Sequence, residues 1–178
     1  VQFGDYTWSR NNKDGVTPLQ GIKNRVNKNT AIHYAKGCSL TSLDTSGIAE
    51  AVEAAKNSEV AVIFGGSASA ALARDYKSST CGEGFDLNDL NLTGAQSQLI
   101  REVYRTGTPV ILVLVTGKPF AIEWEKNNLP AILVQWYAGE QAGNSIADIL
   151  FGEVVPSGRL TFSFPRSTGH LPVYYNYL

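Results

Sequence analysis

The chain has 178 residues, one domain of ordinary size, with 43% apolar and 17% charged side chains, and this composition excludes a disordered chain. Fifteen basic against sixteen acidic side chains give a net charge of -1 without any Lys/Arg block, so the electrostatic footprint of a nucleic-acid partner is missing. The longest apolar run, Val110 to Val115, falls far short of the roughly 20 residues that a membrane-spanning helix needs, so no membrane partner is expected.

The chain begins at Val1 and contains no methionine, so it reads as a piece of a longer translation product whose leader, if it had one, lay upstream. Cys38 and Cys81 lie in no CxxC and are too few for a disulfide scaffold. One bridge or two buried thiols both fit that count, and the usual burial of Cys favours the thiols.

From about residue 30 strands and helices alternate. Ala31 to Ala35 reads as a short strand ending at Gly37, and Asp44 to Asn57 as an amphipathic helix with an acid or hydroxyl as its cap. Val60 to Phe64, closed by Gly65 and Gly66, has the continuous apolar pattern of a strand buried on both faces. Thr93 can cap a helix running through Tyr104 to a stop at Gly107, and Val110 to Val115 is the next strand. A short polar helix over 121–128, a buried strand over Ala131 to Gln135 and a helix over Glu140 to Leu150 complete the alternation. Leu160 to Phe164 alternates before Pro165, as an antiparallel strand at a sheet edge would.

This order predicts an α/β fold: a three-layer α/β/α sandwich around a mostly parallel sheet, doubly wound in the flavodoxin manner. Ligands of such sheets gather beyond the carboxyl ends of the strands, which directs attention to three loops, Gly65 to Leu92, Thr116 to Phe120 and Trp136 to Gly143. The first is well beyond the 12 to 15 residues above which a loop usually has a function.

Most familiar motifs fail on inspection. Phe64-Gly65-Gly66 lacks the third glycine of a dinucleotide fingerprint, and Thr116-Gly117-Lys118 has Leu112 where a phosphate loop needs its first glycine. No GxSxG or HExxH occurs, and His33 and His170 stand beside no nucleophile, so no metal and no cofactor is expected. There is left Cys81-Gly82-Glu83-Gly84-Phe85-Asp86, a carboxylate between two glycines that let the backbone approach a ligand closely. By itself this is also the pattern of a solvated loop glutamate.

That segment belongs to an ordered series: Leu90-Asn91-Leu92, Gly94, Gln96, Gly107-Thr108-Pro109-Val110, Thr116-Gly117-Lys118-Pro119, Trp136-Tyr137-Ala138-Gly139-Glu140, Gly143-Asn144, Leu150-Phe151-Gly152, Pro156-Ser157-Gly158-Arg159 and Leu171-Pro172-Val173. The series resembles the C-terminal α/β sandwich domain of the family 3 glycoside hydrolases, in its bacterial β-glucosidase and β-xylosidase branch, from Gly4 onward. The resemblance implies a periplasmic or secreted, retaining, exo-acting β-glycosidase whose N-terminal barrel domain carries an aspartate nucleophile. This domain, over residues 1–178, would lend the acid/base and would lack its own first strand.

The family's acid/base glutamate maps onto Glu83. An aromatic that stacks on the outer sugar in some relatives maps onto Tyr6 in Gly4-Asp5-Tyr6-Thr7, where plain packing is an equal reading. Asp86 is followed by Leu87 where the family usually has Arg, which weakens an ion-pair role there. To hold its proton near neutral pH, Glu83 would need a raised pKa, supplied by burial in the closed cleft or by the neighbouring nucleophile's charge.

Trp136 could wall a ligand site or fill the core, with core the simpler reading, and Lys118 and Glu140 are placed to form a salt bridge. The oligosaccharide or glycoside substrate and the barrel are the implied partners. The alternative is a non-catalytic α/β module that binds a carbohydrate or docks on another domain, which would have no reason to display Glu83.

Overall fold

The apolar β-branched runs do become strands. The computed structural model describes residues 2–4, 12–69, 79–82, 84–174 and 176. Strand β1 (Ala61–Gly66), strand β2 (Val110–Val115) and strand β3 (Ala131–Val134) form a parallel sheet in the order β1-β2-β3. The register sets Gly66 beside Val115 and Leu114 beside Val134. β2 lies at the centre, and Val110, Leu112, Val113 and Leu114 are wholly buried, whereas β3 is half-buried along its length.

Period-2 alternation divides the sheet residues between two layers. Val110, Leu112 and Leu114 form one core with Ile48 and Ala55 of helix α2 (Ile48–Lys56) and with Leu99, Ile100 and Val103 of helix α3 (Gln96–Tyr104). Trp124 of helix α4 (Glu123–Asn128) packs against the same core. Removing a side chain such as Leu112 by substitution with Ala costs about 2–5 kcal/mol in a core of this kind.

On the opposite face, Phe64 and Val115 share a cleft of about 240 Å³ with Thr17 and Pro18. Pro18 opens helix α1 (Pro18–Arg25), which packs on helix α5 (Ala142–Leu150). Helices on both faces of the sheet make the expected three-layer α/β sandwich. α1 itself is an addition to the elements expected from sequence, although Thr17-Pro18 was a legible start: the Thr17 hydroxyl accepts the Gln20 N–H at 3.2 Å, and Pro stands at the first helical position.

Several expectations need correction. Ala31–Ala35 is not a strand, because no described segment pairs with it; Tyr34 in its middle is 63% exposed. Residues 160–164 form no edge strand either: the period-2 rings of Phe162 and Phe164 stack on each other at 5.9 Å, and Phe162 meets Trp136 edge-on at 5.3 Å.

Helix starts also differ. α2 begins only at Ile48, after an uncapped Gly47, because the Asp44 carboxylate is engaged with the Ser46 N–H and hydroxyl. Thr93 does not cap α3; its hydroxyl donates to the Leu40 carbonyl at 2.6 Å instead. Among the described residues no helix is long and apolar enough to cross a membrane.

Candidate functional site

The three loops singled out by the sequence meet beyond the carboxyl ends of the strands, through hydroxyl groups that sequence reasoning did not select. Ser67 directly follows β1, Thr116 directly follows β2, and Tyr137 lies three residues beyond β3. Ser67 Oγ lies 2.9 Å from Thr116 Oγ1 and 3.0 Å from the Tyr137 hydroxyl. The signal was a hydroxyl residue terminating each of two apolar runs, but its meaning depends on the parallel register that sets residues 66 and 115 side by side.

Proton counting orders this cluster, since each hydroxyl has one proton to donate. The Thr116 hydroxyl donates to the Lys118 carbonyl at 2.9 Å. Ser67 must therefore donate to Thr116, and Tyr137 must donate to Ser67, whose Oγ also receives the Gly117 N–H at 3.3 Å. Burial pushes the Tyr137 phenol up to about 12, and the neighbouring Cys81 thiol reinforces that rise. The phenol accordingly stays protonated and donating over the whole neutral range.

From this cluster the chain is strapped toward the glycine-flanked glutamate. The Ala68 N–H donates to Thr80 Oγ1 at 2.9 Å, and the Thr80 N–H donates back to the Ala68 carbonyl at 2.8 Å. Thr80 is 7% exposed, and Cys81 beside it touches the Tyr137 hydroxyl. Gly82 and Gly84 adopt φ of 84° and 78°, a region that side chains with a Cβ avoid, so both flanks of position 83 require glycine. Glu83 and Tyr6, the two sugar-contacting residues expected from sequence, lie outside the described residues.

Among the other candidates, Lys118 is 6% exposed, with Nζ 4.7 Å from the Phe120 ring centre, and burial lowers its pKa against the opposing charge of Asp89 and the Cys81 sulfur. The predicted Lys118–Glu140 bridge is not among the ion pairs of the described residues: the β2 loop turns Lys118 inward, while Glu140 is exposed. The Glu140 carbonyl receives the Val16 N–H at 2.8 Å.

Trp136 is half-buried with φ of 59°, packed on Phe162 rather than sealed in the core. Asp86 is exposed, His33 is exposed in the irregular 31–35 segment, and His170 Nδ1 accepts the Arg166 N–H at 3.4 Å. Both cysteines are half-buried free thiols, and burial raises that of Cys38. Among the described residues no three His, Cys, Asp or Glu side chains gather as a metal cage.

Comparison with known proteins places this geometry. A family model described as the glycosyl hydrolase family 3 C-terminal domain matches residues 1–178. A beta-xylosidase of Formosa agariphila is 44% identical over 90% of this chain and 21% of its own length. A periplasmic beta-glucosidase of Salmonella typhimurium is 40% identical over 92% of this chain and 23% of its own. The structure of a beta-glucosidase from Listeria innocua, solved with isofagomine, superposes with a TM-score of 0.80 at 30% identity, covering 99% of this chain and 23% of that one. The chain thus spans under a quarter of the length of these relatives.

Proposed function

This chain belongs to the glycosyl hydrolase family 3 C-terminal domain family, and from that premise we propose that it supplies the general acid/base of a retaining exo-β-glycosidase acting on terminal β-linked glucose or xylose. Glu83 is the acid/base. The nucleophilic carboxylate resides in an N-terminal barrel domain of the same enzyme, about 5–5.5 Å from Glu83 when the cleft is assembled, as retention of configuration requires. Glu83 protonates the departing glycosidic oxygen and then removes a proton from water. Tyr6, on the segment just beyond Gly4, offers a ring face to the outer sugar.

The observation that supports this reading most is the strand-end cluster itself. Thr80 is strapped to Ala68 by two hydrogen bonds, and the loop then passes through two glycines with positive φ on either side of position 83. Such a framework suits a carboxyl group presented to a second domain, whereas a module that only binds has no use for it. A further strand beside the open edge of β1 belongs to the same reading, and so does a periplasmic or secreted location, in keeping with the name of the Salmonella relative.

The test uses the intact enzyme with Glu83→Gln. Hydrolysis of alkyl and disaccharide substrates, whose leaving groups need a proton, falls by about 100-fold or more, the usual contribution of a general acid. Release of dinitrophenol, which departs unaided, changes far less in its glycosylation step. Equal losses for both substrate classes would remove Glu83 from the acid role. The isolated domain, without a nucleophile, cleaves neither.

A further inference from the structure

We propose that Tyr137, acting through Ser67 and Thr116, is a positioning residue for the sugar-contacting segments, fixing in one place the roots of both the Glu83 loop and the Tyr6 segment. The inference rests on the proposed acid/base role of Glu83. It assigns to Tyr137 no contact with the sugar.

Two independent features hold this phenol. Its ring is clamped between backbones: a Cβ at Gly4 would stand 2.8 Å from Tyr137 Cδ2, and a Cβ at Gly117 would stand 2.8 Å from Tyr137 Cε2. Both glycines are therefore in close contact with the ring, leaving no room for a side chain. Its hydroxyl is held by Ser67, with Oγ at 3.0 Å and the carbonyl at 3.3 Å.

Two contacts of this side chain lie just upstream of the residues assigned above to the sugar. Gly4 is two residues before Tyr6, and Cys81, which touches the hydroxyl, is two residues before Glu83. Ser67, which is hydrogen-bonded to the phenol, adjoins Ala68, whose N–H and carbonyl both bond Thr80. One side chain thereby joins the ends of β1, β2 and β3 to the roots of both segments. Removing its hydroxyl leaves Ser67 Oγ with the Gly117 N–H alone as donor and frees the Ala68–Thr80 strap to shift. A displacement of about 1 Å at a catalytic group costs on the order of 100-fold.

The experiment is a leaving-group series of aryl and alkyl β-glycosides on the intact enzyme, comparing Tyr137→Phe, Ser67→Ala and Glu83→Gln with the parent. Tyr137→Phe retains the ring and its glycine clamp. It is expected to lower kcat/KM for alkyl and weakly acidic phenol leaving groups by roughly 10- to 100-fold, and for dinitrophenol by no more than about threefold.

Ser67→Ala, which breaks the same cluster from the other side, gives the same graded pattern and serves if the Phe variant folds poorly. A uniform loss across the series in both variants, or no loss, overturns the positioning of Glu83 by Tyr137 while a graded loss in Glu83→Gln leaves the acid reading standing. A uniform loss in Glu83→Gln overturns the acid reading and this inference with it.

Discussion

Gln96 grips both backbone groups of Gly66: its Oε1 accepts the Gly66 N–H at 2.8 Å, and its Nε2 donates to the Gly66 carbonyl at 3.1 Å. Odd-numbered N–H groups of the β1 segment point to β2, as Ala61 N–H does to Pro109 and Ser67 N–H to Val115. Gly66 therefore points to the other edge, and one buried amide stands in there for a strand partner. The same Nε2 also reaches the carbonyls of Leu40 and Thr93, so this side chain joins α3, the 37–42 segment and the tip of β1.

Substituting Gln96 with Leu leaves the Gly66 N–H and carbonyl buried and unpaired. At roughly 1–3 kcal/mol for each orphaned group, the expected loss is about 2–6 kcal/mol, read as a lower urea midpoint with an unchanged slope. Gln96→Glu keeps the acceptor but sets a carboxylate against the Gly66 carbonyl, so its deficit should shrink as pH falls and the acid protonates. A Leu variant as stable as the parent would show the grip to be dispensable.

α1 and α5 touch through glycines. A Cβ at Gly21 would overlap the Gly143 carbonyl, and one at Gly143 would overlap the Thr17 carbonyl. Helix propensity alone makes Gly→Ala favourable by about 1 kcal/mol in a helix interior. Here the sign reverses: Gly21→Ala is expected to cost about 3 kcal/mol, the upper part of the range for overpacking, since backbone cannot yield as a side chain does. Thermal unfolding of Gly21→Ala against the parent reads which effect wins, and a stabilised Gly21→Ala would refute the close approach.

Tyr137 also predicts an alkaline limit. Its phenol is raised from the ordinary value of 10.0 to about 12, chiefly by burial, so between these values the unfolded chain has lost a proton that the folded chain retains. The resulting stabilisation is fully present below about pH 10 and is lost as pH rises toward 12. Urea unfolding at successive pH values should show the stability gap between the parent and Tyr137→Phe narrowing over that window. A gap of constant size would mean that the phenol is open to solvent.

Legibility differed by element for physical reasons. Val110–Val115 was read to the residue, because a strand buried on both faces must be apolar throughout. The end of α3 was read almost as well, with the Gly107 N–H bonded back to the Tyr104 carbonyl. Ala31–Ala35 and Leu160–Phe164 misled because extended sequence becomes strand only with a ladder partner, and the alternation at 160–164 serves the stacking of Phe162 on Phe164, with Phe162 edge-on to Trp136. The Lys118–Glu140 pairing failed because proximity of two loops does not fix which side chain turns inward.

The amino-acid order alone determined which segments are buried, where strand gives way to loop, and that a carboxylate bracketed by glycines comes after the first buried strand; these depend on local periodicity and backbone permissiveness. Only the tertiary structure decided that Ser67, Thr116 and Tyr137 share one chain of protons, and that this chain reaches Cys81 and Gly4. Ser67 is 49 residues from Thr116 and 70 from Tyr137. Contacts of that span arise from the parallel register of three strands, which no local pattern encodes.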